Sequence, residues 1–186
     1  MSANTSVRAG DALAAHYIAN DLAADGGHRA HRWTFLTLGR LRVRLRNFEW
    51  RRRAIVRHDL HHLITGYPCT VIGEFEMAAW EFAAGRFPSA AATLFCLPLV
   101  GFGAIAAPRR SFAAFVRGRQ STTLYRLARP DALDLPLSEL RRLVLPATKR
   151  ETSIKDRASY AALVFKSLMM MMIAPLILGA ALVSTR

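Results

Sequence analysis

The sequence predicts an all-α chain, a helical bundle that ends in a hydrophobic helix, and three observations predict it. Leu38, Leu41, Leu45, Phe48, Ile55 and Leu60 recur at helical spacing between arginines, which reads as one long helix up to Ile64. Gly66, Tyr67 and Pro68 then break that helix, because proline lacks an N–H and restrains the residue before it. Two long stretches, 87–107 and 167–184, carry no charge at all.

Taken in order, residues 1–27 read as a short helix over "GDALAAHYIANDLAA" and a flexible link. Residues 28–146 read as the main helical, metal-binding domain. Within it, "LRVRLR" alternates with period two, as a strand would. The helix is preferred there because the charges also recur at helical spacing and no partner strand is evident. Thr70 is placed to cap a second helix over 70–85, with Phe75, Ala78, Ala79 and Phe82 on one face and Gly85 closing it. Pro88, Pro98 and two glycines argue against one straight helix in 87–107, so a buried or membrane-dipping hairpin competes with a span. Gly101, Gly103 and Ala106 match G-x-G-x-x-A only formally: Pro108 follows and no acid lies where a ribose contact needs one. "DLPLSELRRLVLP" reads as a short amphipathic helix with Ser138 as cap and Pro146 as stop. A polar linker, 147–160, leads to the hydrophobic helix of 161–186.

Composition narrows the class of partner. The chain has 186 residues, is 52% hydrophobic and yet carries a net charge of +13. One domain is the prior for that length. From Arg29 to Arg57 there are ten arginines against one acid, Glu49, and Arg109 to Arg129 contains no acid. Such blocks suit nucleic acid or anionic lipid. Zinc-finger spacing, RNA-binding signatures and basic zippers are missing, which argues against nucleic acid. Apolar segments beside the basic blocks favour a membrane surface. Cys69 and Cys96 make no disulfide framework, and the N-terminus has no apolar core of a secretory signal.

The chemistry concentrates in "HDLHHLITGYPCTVIGE", His58 to Glu74. His58 and His62 are one helical turn apart and share a face, with Asp59 about 100° round from His58. His62 lies four residues before the break and Glu74 four after Thr70, so each is roughly 6 Å from the turn in an antiparallel pair of helices. Two imidazoles and two carboxylates meeting there would form a divalent-metal site of the N/O type. The plainer alternative is a solvated helix face. His61 points elsewhere, as a surface or supporting residue.

His58-Asp59-x-x-His62, eleven residues and Glu74 resemble the H-D-x-x-H-x11-E signature of the coenzyme Q biosynthesis protein 4 family. The segment "LITGYPCTVIGEFEMAAWEFAAGR", the basic "RRSFAAFVRGRQ" and "LPLSELRRL" are also similar, so the likeness covers about residues 30–145. The C-terminal tail departs from that pattern. The resemblance implies a metal held by His58, Asp59, His62 and Glu74, with zinc expected and iron the alternative. It implies a bundle whose apolar cavity takes a polyprenyl tail, and action at ring carbon 1 of a polyprenylated aromatic precursor of ubiquinone. A prenyl-lipid-binding scaffold without turnover, or the same fold in another isoprenoid pathway, are the alternatives. The resemblance implies that lipid and other quinone-biosynthesis proteins as partners, composition adds the membrane surface, and the C-terminal helix could instead pack against the bundle or a second subunit.

The uncharged tail would extend about 27 Å as a helix, near the ~30 Å of a bilayer core. Lys149, Arg150, Lys155, Arg157 and Lys166 precede it. By the positive-inside rule this keeps the domain on the cytoplasmic face of an inner membrane, taking the chain as bacterial, either peripheral or C-terminally anchored.

Overall fold

The computed structural model describes residues 7–24, 33–38, 41–85, 87–127, 130–148 and 151–184, with the backbone alone at 33–38, 41–45 and 174–184. The architecture is helical around one short hairpin. Its elements are α1 (Ala9–Ala19), β1 (Trp33–Leu38), β2 (Leu41–Arg46), α2 (Glu49–Thr65), α3 (Val71–Ala84), α4 (Ala90–Ala106), α5 (Pro108–Gly118), α6 (Leu124–Leu127), α7 (Leu137–Val144) and α8 (Ile154–Ser184).

The helix expected over 33–64 is therefore half strand. β1 and β2 pair antiparallel from Trp33↔Arg46 to Leu38↔Leu41, and α2 begins only at Glu49. The alternation of "LRVRLR" was the true signal, and "WTFLTL" is its partner. The uncharged 87–107 stretch is also simpler than a hairpin. It forms one helix, α4, which contains Pro98 and is capped by Ser89, whose Oγ accepts from the Ala92 N–H at 3.1 Å. Ser138 lies inside α7 instead of capping it; Pro136 holds the cap position. The polar linker is shorter than expected, because α8 already starts at Ile154.

α3 is the central helix and packs most extensively on α5 and α4, while α4 in turn packs on α8. Trp80, Met77 and Ala79 of α3 are fully buried, alongside Leu60 and Ile64 of α2, Leu124 and Leu140. Removing side chains of this size from water contributes roughly 2–3 kcal/mol each. Gly118 sets the spacing of α3 and α5: a Cβ there would lie 2.4 Å from the Trp80 carbonyl oxygen. α8 lies against α4 where the Ser167 Oγ donates to the Leu97 carbonyl at 2.6 Å and accepts from the Gly101 N–H at 2.9 Å. Gly101 thus serves helix packing. Among the described residues no helix is long and apolar enough to cross a membrane. The side chains of 174–186, where much of the expected anchor falls, lie outside the described residues.

The α2–α3 turn fixes how the two helices face each other. Gly66 closes α2 in the left-handed region, φ 80°, which a residue with a Cβ adopts only at a cost. The Thr70 Oγ1 accepts from the Gly73 N–H at 3.2 Å and caps α3, as the sequence predicts. Gly73 touches the turn so closely that a Cβ would sit 1.8 Å from the Pro68 carbonyl oxygen. Gly73→Ala should therefore displace the start of α3 and lower stability by about 1–3 kcal/mol, as overpacking does. A denaturant midpoint equal to the parent's would show that the turn relaxes freely.

Candidate metal centre

Helix α2 delivers His58, His61 and His62, and helix α3 delivers Glu74 and Glu81. His58, His62 and Glu74 each offer a ligand atom, and these atoms lie within 4.8 Å of one another, so the group could hold a metal ion. The His58 and His62 Nε2 atoms are 3.2 Å apart. His58 Nε2 is 3.3 Å from Glu74 Oε2, and His62 Nε2 is 3.3 Å from Glu74 Oε1.

Hydrogen bonds on the far side of each ring decide where the lone pairs point. The His62 Nδ1 lies 2.8 Å from the Tyr67 carbonyl oxygen. A carbonyl only accepts, so Nδ1 carries the proton and donates. The His58 Nδ1 donates in the same way to the Glu81 carboxylate, 3.2 Å from both oxygens. Both Nε2 atoms are then free to present lone pairs towards each other and towards Glu74. Two converging lone pairs repel unless a cation lies between them. A carbonyl or carboxylate behind each ring is also the usual support of a metal-ligating histidine. The donor set therefore fits a metal on observations of this structure.

Electrostatics agree. Burial disfavours charge on His58, but Glu81 and Glu74 outweigh it and raise its pKa well above the usual value. Burial would likewise push the Glu74 carboxyl up, yet its contacts with His58 and His62 hold it down at about 2. Glu81, also opposed by burial, is held far below the ordinary range by His58 and His61. Two buried carboxylates thus favour a positive charge at His58, whether proton or metal.

Asp59 stands outside the group of three. It is buried on the adjacent side of α2, and its Oδ2 accepts from the Tyr17 hydroxyl at 2.9 Å. Burial raises its pKa, against the pull of His58, Tyr17 and His62. The 100° step between successive helix positions turns Asp59 towards α1. His61 is not a surface residue; it is fully buried. Its Nε2 accepts from the Leu124 N–H at 3.0 Å, so its Nδ1 carries the proton and donates to Glu81 at 2.7 Å. Burial keeps it neutral by lowering its pKa.

Glu81 was not anticipated from the sequence. It lies seven residues after Glu74, two helical turns on the same face, and that spacing was the available signal. α1 adds a further layer. The ring of His16 stacks on that of His62, with centroids 6.3 Å apart, and its Nε2 lies 3.3 Å from the Cys69 sulfur. Burial first, then Glu74 and Asp59, raises the Cys69 thiol to about 12, so it remains a thiol at neutral pH.

A pocket of about 120 Å³ opens beside the group, with His58 and Glu74 in its wall. Trp50, Phe87, Phe95, Leu99 and Tyr125 make it mostly apolar, and Arg51 adds one cation. Phe87, Ala92, Phe95, Cys96 and Leu99 of the α3–α4 region line it, whereas Val100 and Phe75 are buried in packing and Leu94 is exposed. Ligand pockets for drug-sized molecules are usually ~300–1,000 Å³, so this one is small. No family model, curated protein or solved structure matches the chain.

Proposed function

We propose that the chain is a membrane-associated zinc protein of a quinone or other prenyl-lipid pathway. In this reading it acts at ring carbon 1 of a polyprenylated hydroxybenzoate, where the carboxyl leaves and a hydroxyl is installed. The observation that carries the reading is the convergence of His58 Nε2, His62 Nε2 and a Glu74 carboxylate at the wall of a small, apolar pocket. Three protein ligands and one open position are the pattern of catalytic zinc sites.

His58, His62 and Glu74 would hold the ion, which when bound supplies Lewis acidity to an oxygen of the substrate. Arg51, in the same wall, would receive the substrate carboxylate or phenolate; its guanidinium is already oriented by the Asn47 Oδ1 at 3.3 Å. Phe87, Phe95 and Leu99 would clamp the ring and exclude water. Tyr125, its pKa raised well above the usual value by burial, stays a neutral phenol in the wall. Replacing the carboxyl by hydroxyl takes two electrons from the ring, and zinc has no redox chemistry, so dioxygen is the oxidant: the carboxyl leaves as carbon dioxide, water supplies the hydroxyl oxygen and dioxygen leaves as hydrogen peroxide.

The test is direct. Protein purified with its metal is analysed by mass spectrometry for bound lipid and incubated with a prenylated 4-hydroxybenzoate in air. Carbon dioxide release, lost in Arg51→Gln at unchanged metal content, is the expected result. Metal-loaded protein that neither retains nor turns over any prenylated aromatic acid overturns the reading.

A further inference from the structure

We propose that the outward sides of α4 and α8 form the surface by which this chain lies on an anionic lipid bilayer. This deepens the membrane part of the function proposed above and does not depend on its metal chemistry. On α4, Leu94, Phe95, Phe102 and Ile105 are all exposed, Ile105 at 68%. At 100° per residue they fall within one arc of about 100°. On α8, Phe165, Met169, Met172 and Ile173 are exposed, Phe165 at 64% and Met172 at 69%, and fall within an arc of similar width. The two helices are fastened to each other through Gly101 and Ser167. Most other described helices turn their large apolar residues inward, so exposed residues of this size gathered on two packed helices call for a partner.

Charge chooses the partner. Arg109 follows the C-terminal end of α4 and Lys166 stands on α8, both exposed, while Arg110 beside them is already paired with the Glu76 carboxylate. Residues 87–130 and 157–186 contain no Asp or Glu. A second copy of this face would offer apolar side chains but no carboxylate to the cations. An anionic bilayer offers both acyl chains and phosphates, which is the pattern of interfacial helices with basic flanks. The position of the small pocket agrees. Phe95, 41% exposed on the α4 arc, is also in the pocket wall, with its ring 5.5 Å from that of Trp50. A lipid held at the surface would have its ring in the pocket and its tail along α4.

The full chain is mixed with phosphatidylcholine vesicles, with and without phosphatidylglycerol, and floated on a density gradient. It should float with the anionic vesicles and much less with the neutral ones. In Phe102→Trp the added indole should shift to the blue with anionic vesicles and be quenched by brominated acyl chains. Ile18→Trp, at an exposed site on α1, should do neither. The triple variant Leu94→Ser, Phe102→Ser, Ile105→Ser should bind at least tenfold more weakly at unchanged metal content. Three results overturn the proposal: no flotation of the parent, an indole at 102 that does not sense vesicles the protein binds, or a triple variant that floats like the parent. A dimer seen by light scattering and dissolved by the triple variant, without flotation, assigns the face to a second copy instead. Metal content is measured on every sample, so loss of the metal centre and loss of the lipid face are read separately.

Discussion

Purified His62→Ala and Glu74→Ala should each contain essentially no divalent metal, where the parent carries about one ion per chain. His62 and Glu74 supply two of three ligand atoms, and a two-ligand remainder on one helix turn or across the gap has little affinity. The loss should also appear in thermal unfolding. A ligand present at 1,000 times its dissociation constant adds ~4 kcal/mol to stability, which for a chain of this size is a rise of roughly 10 °C. Zinc addition should give the parent that rise and both variants none. Asp59→Asn should behave differently. Asp59 is tied to Tyr17 and stands outside the group, so the variant should keep its metal and, since an amide oxygen still accepts from Tyr17, lose only the charge assistance of one buried hydrogen bond, about 1 kcal/mol. If Asp59→Asn loses its metal as completely as His62→Ala, the ion sits deeper against α1 and the three-residue set is incomplete.

Asp59 also shows how far spacing can be read. The His58/His62 pair and the placement of Glu74 followed from the helical period and a turn marked by Gly66 and Pro68, and both signals are local. Asp59, about 100° round from His58, is put in the ligand set by the resemblance, and in the structure its Oδ2 meets Tyr17 of α1. The role of Glu81 depends on which face of α3 meets α2, and that is set by tertiary packing: Gly118 lets α5 close on the opposite side at Trp80. The β1–β2 hairpin was legible but outweighed. Gly39 and Arg40 between an apolar, threonine-containing run and an alternating one are a two-residue hairpin signal, while the arginines of β2 happen to fit a helical period as well. The single helix α4 was obscured by Pro98. A proline interior to a helix costs about 3 kcal/mol in isolation, and here packing on α3, α5 and α8 overrides it. Cavity size could not be read at all, because it depends on how Trp50 and Phe95 close over the gap.

Glu81→Gln should weaken zinc binding about 10–100-fold without touching a ligand atom, because the support of a ligating histidine governs its orientation and basicity. Two ring N–H groups point at Glu81, from His58 and from His61. A carboxylate accepts both. An amide replaces one of these oxygens by an NH2 donor, and with the remaining oxygen kept for His61 the His58 N–H, 3.2 Å from both carboxylate oxygens, must face an N–H. His61 cannot turn to escape, since its Nε2 receives the Leu124 N–H and its ring is wedged edge-on against Trp80 and Tyr125. His58 is then the ring that moves, and its Nε2 leaves the group. Glu81→Ala should be more severe, destabilising by about 3–5 kcal/mol, because both rings lose their buried partner and a void remains. Chelator separates this from simple ligand loss. With the metal removed, Glu81→Gln should still unfold at lower temperature than the parent, since the contact to His61 and through it to α6 needs no ion. The variants of His62 and Glu74 should lose mainly the zinc-dependent part. Equal unfolding temperatures for parent and Glu81→Gln in chelator, with zinc affinity unchanged, would show that Glu81 is a passive core residue and that His58 is oriented by something else.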